Sequence, residues 1–493
     1  MKRKFITNLV LIILLNLLIK PIWIFGIDIK VQNLVGVETF GVYSTLLSFS
    51  FLINILLDFG ITNYNNRNIS QNHQLLSKYF ANIVVLKFML AFLYAGIAFI
   101  VATILGYDAF RMKLLGFLVL NQFLTSFTLY LRSNIAGMQM HTVNSLISIL
   151  DRGLMIVICA VLLWGNVSGE PFKIEWFVYG QTAAYVLTMV FCFGIVLWKS
   201  RFPRFKFDRR FFLVVLRQSF PYALLVLLMS AYTRIDQVML DHLIGPNGPT
   251  QVGIYVHGFR MFDAAYQFAM LFAVLLLPMF SKMIKESQNI QELTRLSSLL
   301  LIVPSIILAF GSLFYQTEIM DLLYPETEIA GVIPFHGIER SVSVFSILMF
   351  AFLGMAGTII YGTLLTANGN LAILNITSAI AVVINVVLNL ILIPKYLAVG
   401  AAISAAATQG FVGLSQYIIV VKKFKMKSSP QMIFKLSVFV AGVFALGMGS
   451  QEVNADWVIR FLGMIVASVI FAFALNLIDL KALVKLILNK SEL

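Results

Sequence analysis

Charged side chains occur in this sequence where apolar ones are expected. The stretch Tyr232-Thr-Arg-Ile-Asp-Gln-Val-Met-Leu-Asp241 lies within an apolar run that begins near Phe211, and it carries Arg234, Asp236 and Asp241. Arg260 and Asp263 follow in the next apolar run, and Lys20, Asp58, Lys87, Asp151 and Arg152 lie in earlier ones. An ion in hydrocarbon is costly enough that such residues face a partner or a water-filled cavity rather than lipid. A planar guanidinium grips phosphate oxygens in pairs and an ammonium acts as a point charge. Arg234, Arg260, Lys20, Lys87 and Arg152 therefore form a set suited to holding an anion such as a diphosphate. The competing reading is mutual neutralisation by the carboxylates as structural ion pairs, and for Asp151 with Arg152 it is the simpler one.

Spacing refines these assignments. Arg234 and Asp241 are seven residues apart and share a helix face, with Asp236 on nearly the opposite side. Arg260 and Asp263, three apart, can pair within one helix. Asn385 and Asn389, four apart, share a face and suit interhelical hydrogen bonding. Asp58, Asp236, Asp241, Asp263, Asn385 and Asn389 are the candidates for lining a polar cavity or coupling transport to an ion. Catalysis has no comparable constellation. The histidines at 73, 141, 242, 257 and 336 lack metal-ligand spacing, and no Gly-rich nucleotide loop is present. Cys159 and Cys192 lie in apolar runs and read as small buried hydrophobes. The expectation is a non-enzyme with no cofactor or metal, driven, if it works uphill, by a sodium or proton gradient, the membrane potential or the fate of its product.

The elements that must position these residues are membrane spans. The chain of 493 residues is 60% hydrophobic and only 12% charged, with mean hydropathy +0.92. Globular chains carry about twice that share of charge. Apolar runs near 20 residues long predict an all-α polytopic membrane protein of about fourteen transmembrane helices, from 5–25 through 211–242 and 252–279 to 457–477. The 211–242 segment is either one long tilted helix or one broken near Ser230. Lys and Arg test the count, because they concentrate in cytoplasmic loops. With the N-terminus inside, 22 fall in the tails and inside loops and five, Lys30, Arg111, Lys113, Lys173 and Lys395, in outside loops. The 199–210 and 422–427 clusters are inside; the 317–338 loop, with Glu318, Asp321, Glu326 and Glu328, is outside and acidic. Both termini are thus expected in the cytoplasm. The net charge of +14 orients the chain and meets anionic lipid rather than nucleic acid. Trp23, Trp164, Trp176, Trp198 and Trp457 fall near predicted helix ends, as in an interfacial aromatic belt. Arg217, Lys435 and Arg460 read as snorkelling side chains.

Gly41-Val-Tyr43 recurs as Gly253-Ile-Tyr255, at an offset of 212 residues. The offset spans six helices, an even number, which keeps both copies in one orientation and predicts two parallel six-helix lobes. The expected division is 1–198 for helices 1 to 6, 199–427 for helices 7 to 12, and 428–493 for two further helices and a cytoplasmic tail.

Taken in order, these motifs resemble bacterial polysaccharide or O-antigen repeat-unit flippases of the multidrug/oligosaccharidyl-lipid/polysaccharide exporter superfamily. The residues carrying the resemblance are Val31-Gln-Asn-Leu-Val-Gly-Val-Glu-Thr-Phe-Gly-Val-Tyr43, Leu57-Asp-Phe-Gly-Ile61, Tyr232–Asp241, Gly253-Ile-Tyr255, Asn385-Val-Val-Leu-Asn-Leu-Ile-Leu-Ile-Pro394 and Gly400-Ala-Ala-Ile403. The resemblance implies two lobes around a central cavity that opens alternately to either side of the bacterial inner membrane. It implies isoprenoid-diphosphate-linked oligosaccharide as substrate, with Arg234 and Arg260 foremost in holding it and Lys20, Lys87 and Arg152 behind them. Polysaccharide polymerase machinery would be a partner, and the protein a monomer. Alternatives from the same resemblance are a cation-coupled drug exporter and a peptidoglycan-precursor lipid flippase. A non-transport scaffold of a polysaccharide-synthesis complex is the rival from another class.

Overall fold

A computed structural model describes residues 18–62, 65, 69, 75–138, 140–165, 171–200, 209–325, 338–426 and 430–478. Some sequence expectations lie outside the described residues: the start of the first helix (5–17), Asn63, Asn66, Arg67, His73, the basic residues within 201–208, Glu326, Glu328, His336, Lys427 and the tail from 479. The side chains of His141, Arg209, Arg210, Arg217, Glu339 and Arg340 lie outside them too.

The protein is an all-α polytopic membrane protein. By length and composition, ten helices among the described residues can cross a membrane, or eleven with one bent pair counted as a span. That pair is α1 (Leu18–Val35) and α2 (Val37–Leu52), bent by 120°. Gly36 makes the corner at φ 81°, a conformation that costs a residue with a Cβ. The first helix thus runs ten residues past its expected end at 25, through a wide π-turn at Ile22–Asp28. This turn faces Trp23 and Asp28 into the protein, so Trp23 belongs to the core and not to an interfacial belt. Trp164 and Trp198, at 61% and 75% exposure, keep the belt-like position.

Next come α3 (Leu75–Ile104), α4 (Ala109–Gly137), α5 (His141–Trp164) and α6 (Ile174–Ser200). The Asp108 carboxylate caps α4 by accepting the Arg111 amide at 2.8 Å. α7 (Arg209–Ile244) runs unbroken through Ser230 and contains Pro221, resolving the two sequence alternatives as one long helix. After a tight turn at Gly245–Asn247 comes α8 (Gly248–Lys285). Together α7 and α8 form a 66-residue apolar run, Phe220–Lys285, far longer than one crossing needs.

The remaining helices are α9 (Gln291–Phe314), a short helix Gln316–Leu323, α10 (Ile338–Gly357) continuing through a π-turn to Ala367, α11 (Leu371–Lys423), α12 (Pro430–Gln451) and α13 (Trp457–Ala474). Leu397, at φ 56° and ψ −132°, breaks α11 three residues after Pro394.

The chain forms two compact units, 1–253 and 254–493. In the first, Phe80, Ile83, Phe127, Tyr130, Leu131, Ile135 and Ile147 form the core of α3, α4 and α5. α7 packs on α2 within this same unit. The 198/199 division expected from the sequence rests on the repeat offset and concerns repeats rather than packing. In the second unit, Leu299, Val303 and Ile306 of α9 pack with Phe439 and Val443 of α12 and Met464 of α13. Tyr315 donates to Ser450 Oγ at 2.7 Å, and Gln451 Nε2 to the Phe314 carbonyl at 3.0 Å. Arg460, expected to snorkel, instead donates to the Gln451 carbonyl at 3.3 Å and helps close the α12–α13 turn.

The repeated Gly-x-Tyr motifs meet each other. A Cβ on Gly41 would overlap the Pro249 carbonyl and lie 3.0 Å from the Gly253 nitrogen; a Cβ on Gly253 would overlap the Val37 carbonyl. Residues 37 and 249 are separated by 212 positions, as are 41 and 253. The crossing of α2 with the start of α8 is therefore reciprocal, each glycine admitting the other copy's backbone.

Candidate functional site

α2 organises the polar interior of the first unit. On one face, Ser44 and Ser48 both donate to Gln237 Oε1 of α7, each at 2.8 Å. On another, Tyr43 meets Gln181 of α6, whose Nε2 donates to the Tyr43 hydroxyl at 3.0 Å. Near its end, the Ser50 carbonyl accepts from Tyr94 of α3 at 3.0 Å, and Ser50 Oγ from Gln122 of α4 at 3.3 Å. A hydrogen bond in a dry interior is expensive to leave unmade, so these contacts set the register of α2 against its neighbours.

That register places Arg234. It lies three residues before Gln237 on α7, and Phe51 lies three residues beyond Ser48 on the antiparallel α2. The Arg234 guanidinium carbon sits 5.1 Å from the Phe51 ring centroid, within range of a cation–π contact. Asp236 is buried at 1% exposure.

Asp241 departs from expectation. Its carboxylate accepts both arms of Arg111, at 2.8 Å from Nη1 and 3.4 Å from Nη2, with His242 Nδ1 at 3.7 Å. The sequence placed Asp241 with Arg234, with which it shares a helix face, and left Arg111 among the outside-loop charges. A shared face does not select a partner: Arg111, in the first turn of α4, reaches the end of α7 instead. Tyr107, with Arg111 over its ring at 5.4 Å, completes this corner.

Arg152 on α5 lies 5.6 Å from the Trp23 ring. Trp23 is stacked on Phe177 of α6 at 5.7 Å and 9°, and Phe177 meets the edge of Tyr43 at 5.6 Å. The Arg152 amide donates to the Asp151 carboxylate at 2.8 Å, while its guanidinium is directed toward Trp23. Lys20 is half-buried early in α1.

Lys87 is buried at 1% exposure, and its ammonium donates to Asp58, to the Leu57 carbonyl at 2.9 Å and to Ser126 Oγ at 3.1 Å. Three acceptors satisfy the three donors of an ammonium. Asp58 also accepts the Thr62 amide at 3.3 Å. This pair closes the irregular turn after α2.

In the second unit Arg260 is half-buried on α8, and Asp263 accepts from Gln267 at 3.1 Å. Asn389 donates to Asn385 Oδ1 at 3.1 Å, and Ser404 Oγ donates to the Asn385 carbonyl at 3.0 Å. Both asparagines are fully buried, and the Ser404–Asn385 bond joins the two halves of α11 across its kink.

Asp28 escaped sequence reasoning because the first helix was ended before it. It is buried at 3% exposure and accepts from Gln32 at 2.9 Å, and the spacing of four between them was the available signal. Among the described residues, no three His, Cys, Asp or Glu side chains converge as a metal site.

Residues 5–284 match the family described as polysaccharide biosynthesis protein. The chain belongs to this family. Comparison with curated proteins finds no match. Among solved structures, the fold is similar to the lipid II flippase MurJ in an inward closed conformation, with TM-score 0.70 and 14% identity over 95% of this chain and 98% of that one. It is also similar to an inward-facing multidrug resistance MATE family transporter of the MOP superfamily, with TM-score 0.59 and 15% identity over 84% and 96%. A MOP superfamily transporter from Pyrococcus furiosus matches with TM-score 0.56 and 14% identity over 85% and 95%. At these identities the likeness concerns the fold. For this family member, the aromatic-backed arginines of the first unit are therefore weighed on their own geometry.

Proposed function

We propose that this protein of the polysaccharide biosynthesis family moves isoprenoid-diphosphate-linked oligosaccharide units across the bacterial inner membrane by alternating access. The observation that carries this reading is a pair of arginines, Arg234 and Arg152, inside the apolar first unit and each set against an aromatic ring. A guanidinium there suits the diphosphate common to such lipids, while the isoprenoid stays in the bilayer. Arg234 is the leading residue, with Arg152 and Lys20 beside it in the binding set. Arg260 serves from the second unit, and nothing requires it to hold the same phosphate. Lys87 is assigned a structural role with Asp58, since its donors are used within the protein. Asp236, Asp263, Asn385 and Asn389 are candidates for coupling to sodium or protons.

The topology that goes with this reading has fourteen segments, both ends in the cytoplasm, and repeats at 1–198 and 199–427 followed by 428–493. It is supported by the turn at Gly245–Asn247, the break at Leu397 and the reciprocal contact of the two Gly-x-Tyr motifs. Partners would be anionic lipid and the polymerase machinery that consumes the translocated unit.

The test is movement of a labelled polyprenyl-diphosphate-linked oligosaccharide across proteoliposomes. Arg234→Glu and Arg260→Glu should each abolish movement while membrane insertion persists. Wild-type flux in both variants would remove their assigned role, and drug–cation antiport with no lipid movement would overturn the reading. The fold match to a lipid II flippase favours peptidoglycan-precursor lipid as the second reading. Faster movement of lipid II than of other diphosphate-linked oligosaccharides would select it.

A further inference from the structure

We infer that Phe51 and Trp23 are positioning residues: their rings hold the guanidinium planes of Arg234 and Arg152 in the orientation that receives a phosphoryl group. This rests on the proposed function of the two arginines and adds two residues that act through an aromatic face rather than through a bond to the diphosphate.

Both arginines have the same type of neighbour. Arg234 lies 5.1 Å from the Phe51 centroid and Arg152 lies 5.6 Å from that of Trp23. An aromatic face attracts a cation through its negative quadrupole and takes guanidinium by its flat side, whereas the N–H donors project from the edges. A flexible side chain is thereby restrained before substrate arrives, and the entropy of ordering it is not charged to binding.

The supports behind each ring make them fixtures rather than incidental neighbours. Phe51 follows Ser44 and Ser48, whose paired 2.8 Å bonds to Gln237 fix α2 against α7 one turn from Arg234. Trp23 is stacked on Phe177, which is braced in turn by Tyr43 at 5.6 Å, while Gln181 binds the Tyr43 hydroxyl at 3.0 Å. Both lines of support begin on α2, so one helix would set the orientation of both guanidiniums. Lysine at 234 or 152 would keep the charge and lose the planar fork that the ring orients.

The experiment measures flux of a labelled polyprenyl-diphosphate-linked oligosaccharide with uncharged sugars in proteoliposomes, over a range of lipid concentration. Phe51→Leu should raise the apparent KM by roughly 3–10-fold, the scale of a partly desolvated cation–π contact, with little change in maximal rate. Phe51→Tyr, which restores a π face, should recover wild-type KM. Arg234→Lys should raise KM, and Phe51→Leu should add less to it than to the wild type, because the ammonium keeps its attraction to the ring but has no planar fork for the ring to orient. Trp23→Phe against Trp23→Leu repeats the comparison for Arg152. Phe51→Met, also without a π face, replaces the leucine variant if that variant fails to insert. An unchanged KM in Phe51→Leu and Trp23→Leu, with flux lost in Arg234→Ala, would overturn this inference and leave the proposed function standing. Unchanged flux in Arg234→Ala and Arg152→Ala would instead remove the function on which it rests.

Discussion

At the scale of single residues, partner choice identifies charges that build the protein. Asp241 is 2% exposed and takes the fork of Arg111, itself 22% exposed. Removing one member of a buried pair leaves a charge without compensation and costs about 3–5 kcal/mol at full burial, less where one partner meets solvent. Arg111→Met should therefore lower the thermal unfolding midpoint in detergent, and adding Asp241→Asn should restore part of the loss. An additive double variant would show that the pair is not coupled. Lys87 and Asp58 predict the same pattern: Lys87→Met should destabilise, Lys87→Met/Asp58→Asn should destabilise less, and KM for lipid-linked substrate should change little in the folded fraction. That Asp241, Asp58 and Lys87 were exceptional was legible from hydropathy alone, whereas Arg111 read as an ordinary loop charge. Their pairing was not, because Arg111 and Asp241 are 130 residues apart and meet only once α4 and α7 are packed.

At the scale of elements, the α2–α8 crossing depends on two glycines whose missing side chains let backbone approach backbone. Overpacking at such a contact typically costs about 1–3 kcal/mol. Gly41→Ala and Gly253→Ala should each destabilise the protein and slow transport. Because the contact is reciprocal, the two losses should be similar in size. Full tolerance at one position with loss at the other would contradict the reciprocity. The sequence repeat pointed to both glycines, and it could not say that the two copies touch. The first helix is expected to end at 25, where its run of apolar residues reaches Phe25, and it continues to Val35. In the structure the π-turn rotates Asp28 inward, where Gln32 receives it.

At the scale of the whole molecule, the charge bias predicts topology and the helices supply the segments to test. Reporter fusions at the N-terminus and after residue 427 should read as cytoplasmic, and fusions in the Gly245–Asn247 turn should read as periplasmic. A cytoplasmic signal at Gly245–Asn247 would merge α7 and α8 into one element on the same side and collapse the fourteen-segment reading. The last two helices lie outside the repeat in the sequence and read there as an appendage to it. Their packing on α9, with Tyr315 bound to Ser450 and Gln451 to the Phe314 carbonyl, predicts otherwise. Truncation after residue 427 would uncover Leu299, Val303 and Ile306 and should sharply reduce the yield of folded protein.

Composition and periodicity alone determined that this chain is built of apolar helices and carries a small set of charges within them. Those properties follow from the solvent: hydrocarbon admits few backbone conformations and penalises every charge, so they are written residue by residue. Tertiary structure alone decided which charges neutralise one another. It gave Asp241 to Arg111 and Asp58 to Lys87, and it set Arg234 and Arg152 against aromatic rings. An ion's partner is chosen by distances of a few ångströms between helices far apart in the chain, and local spacing along one helix does not contain that information.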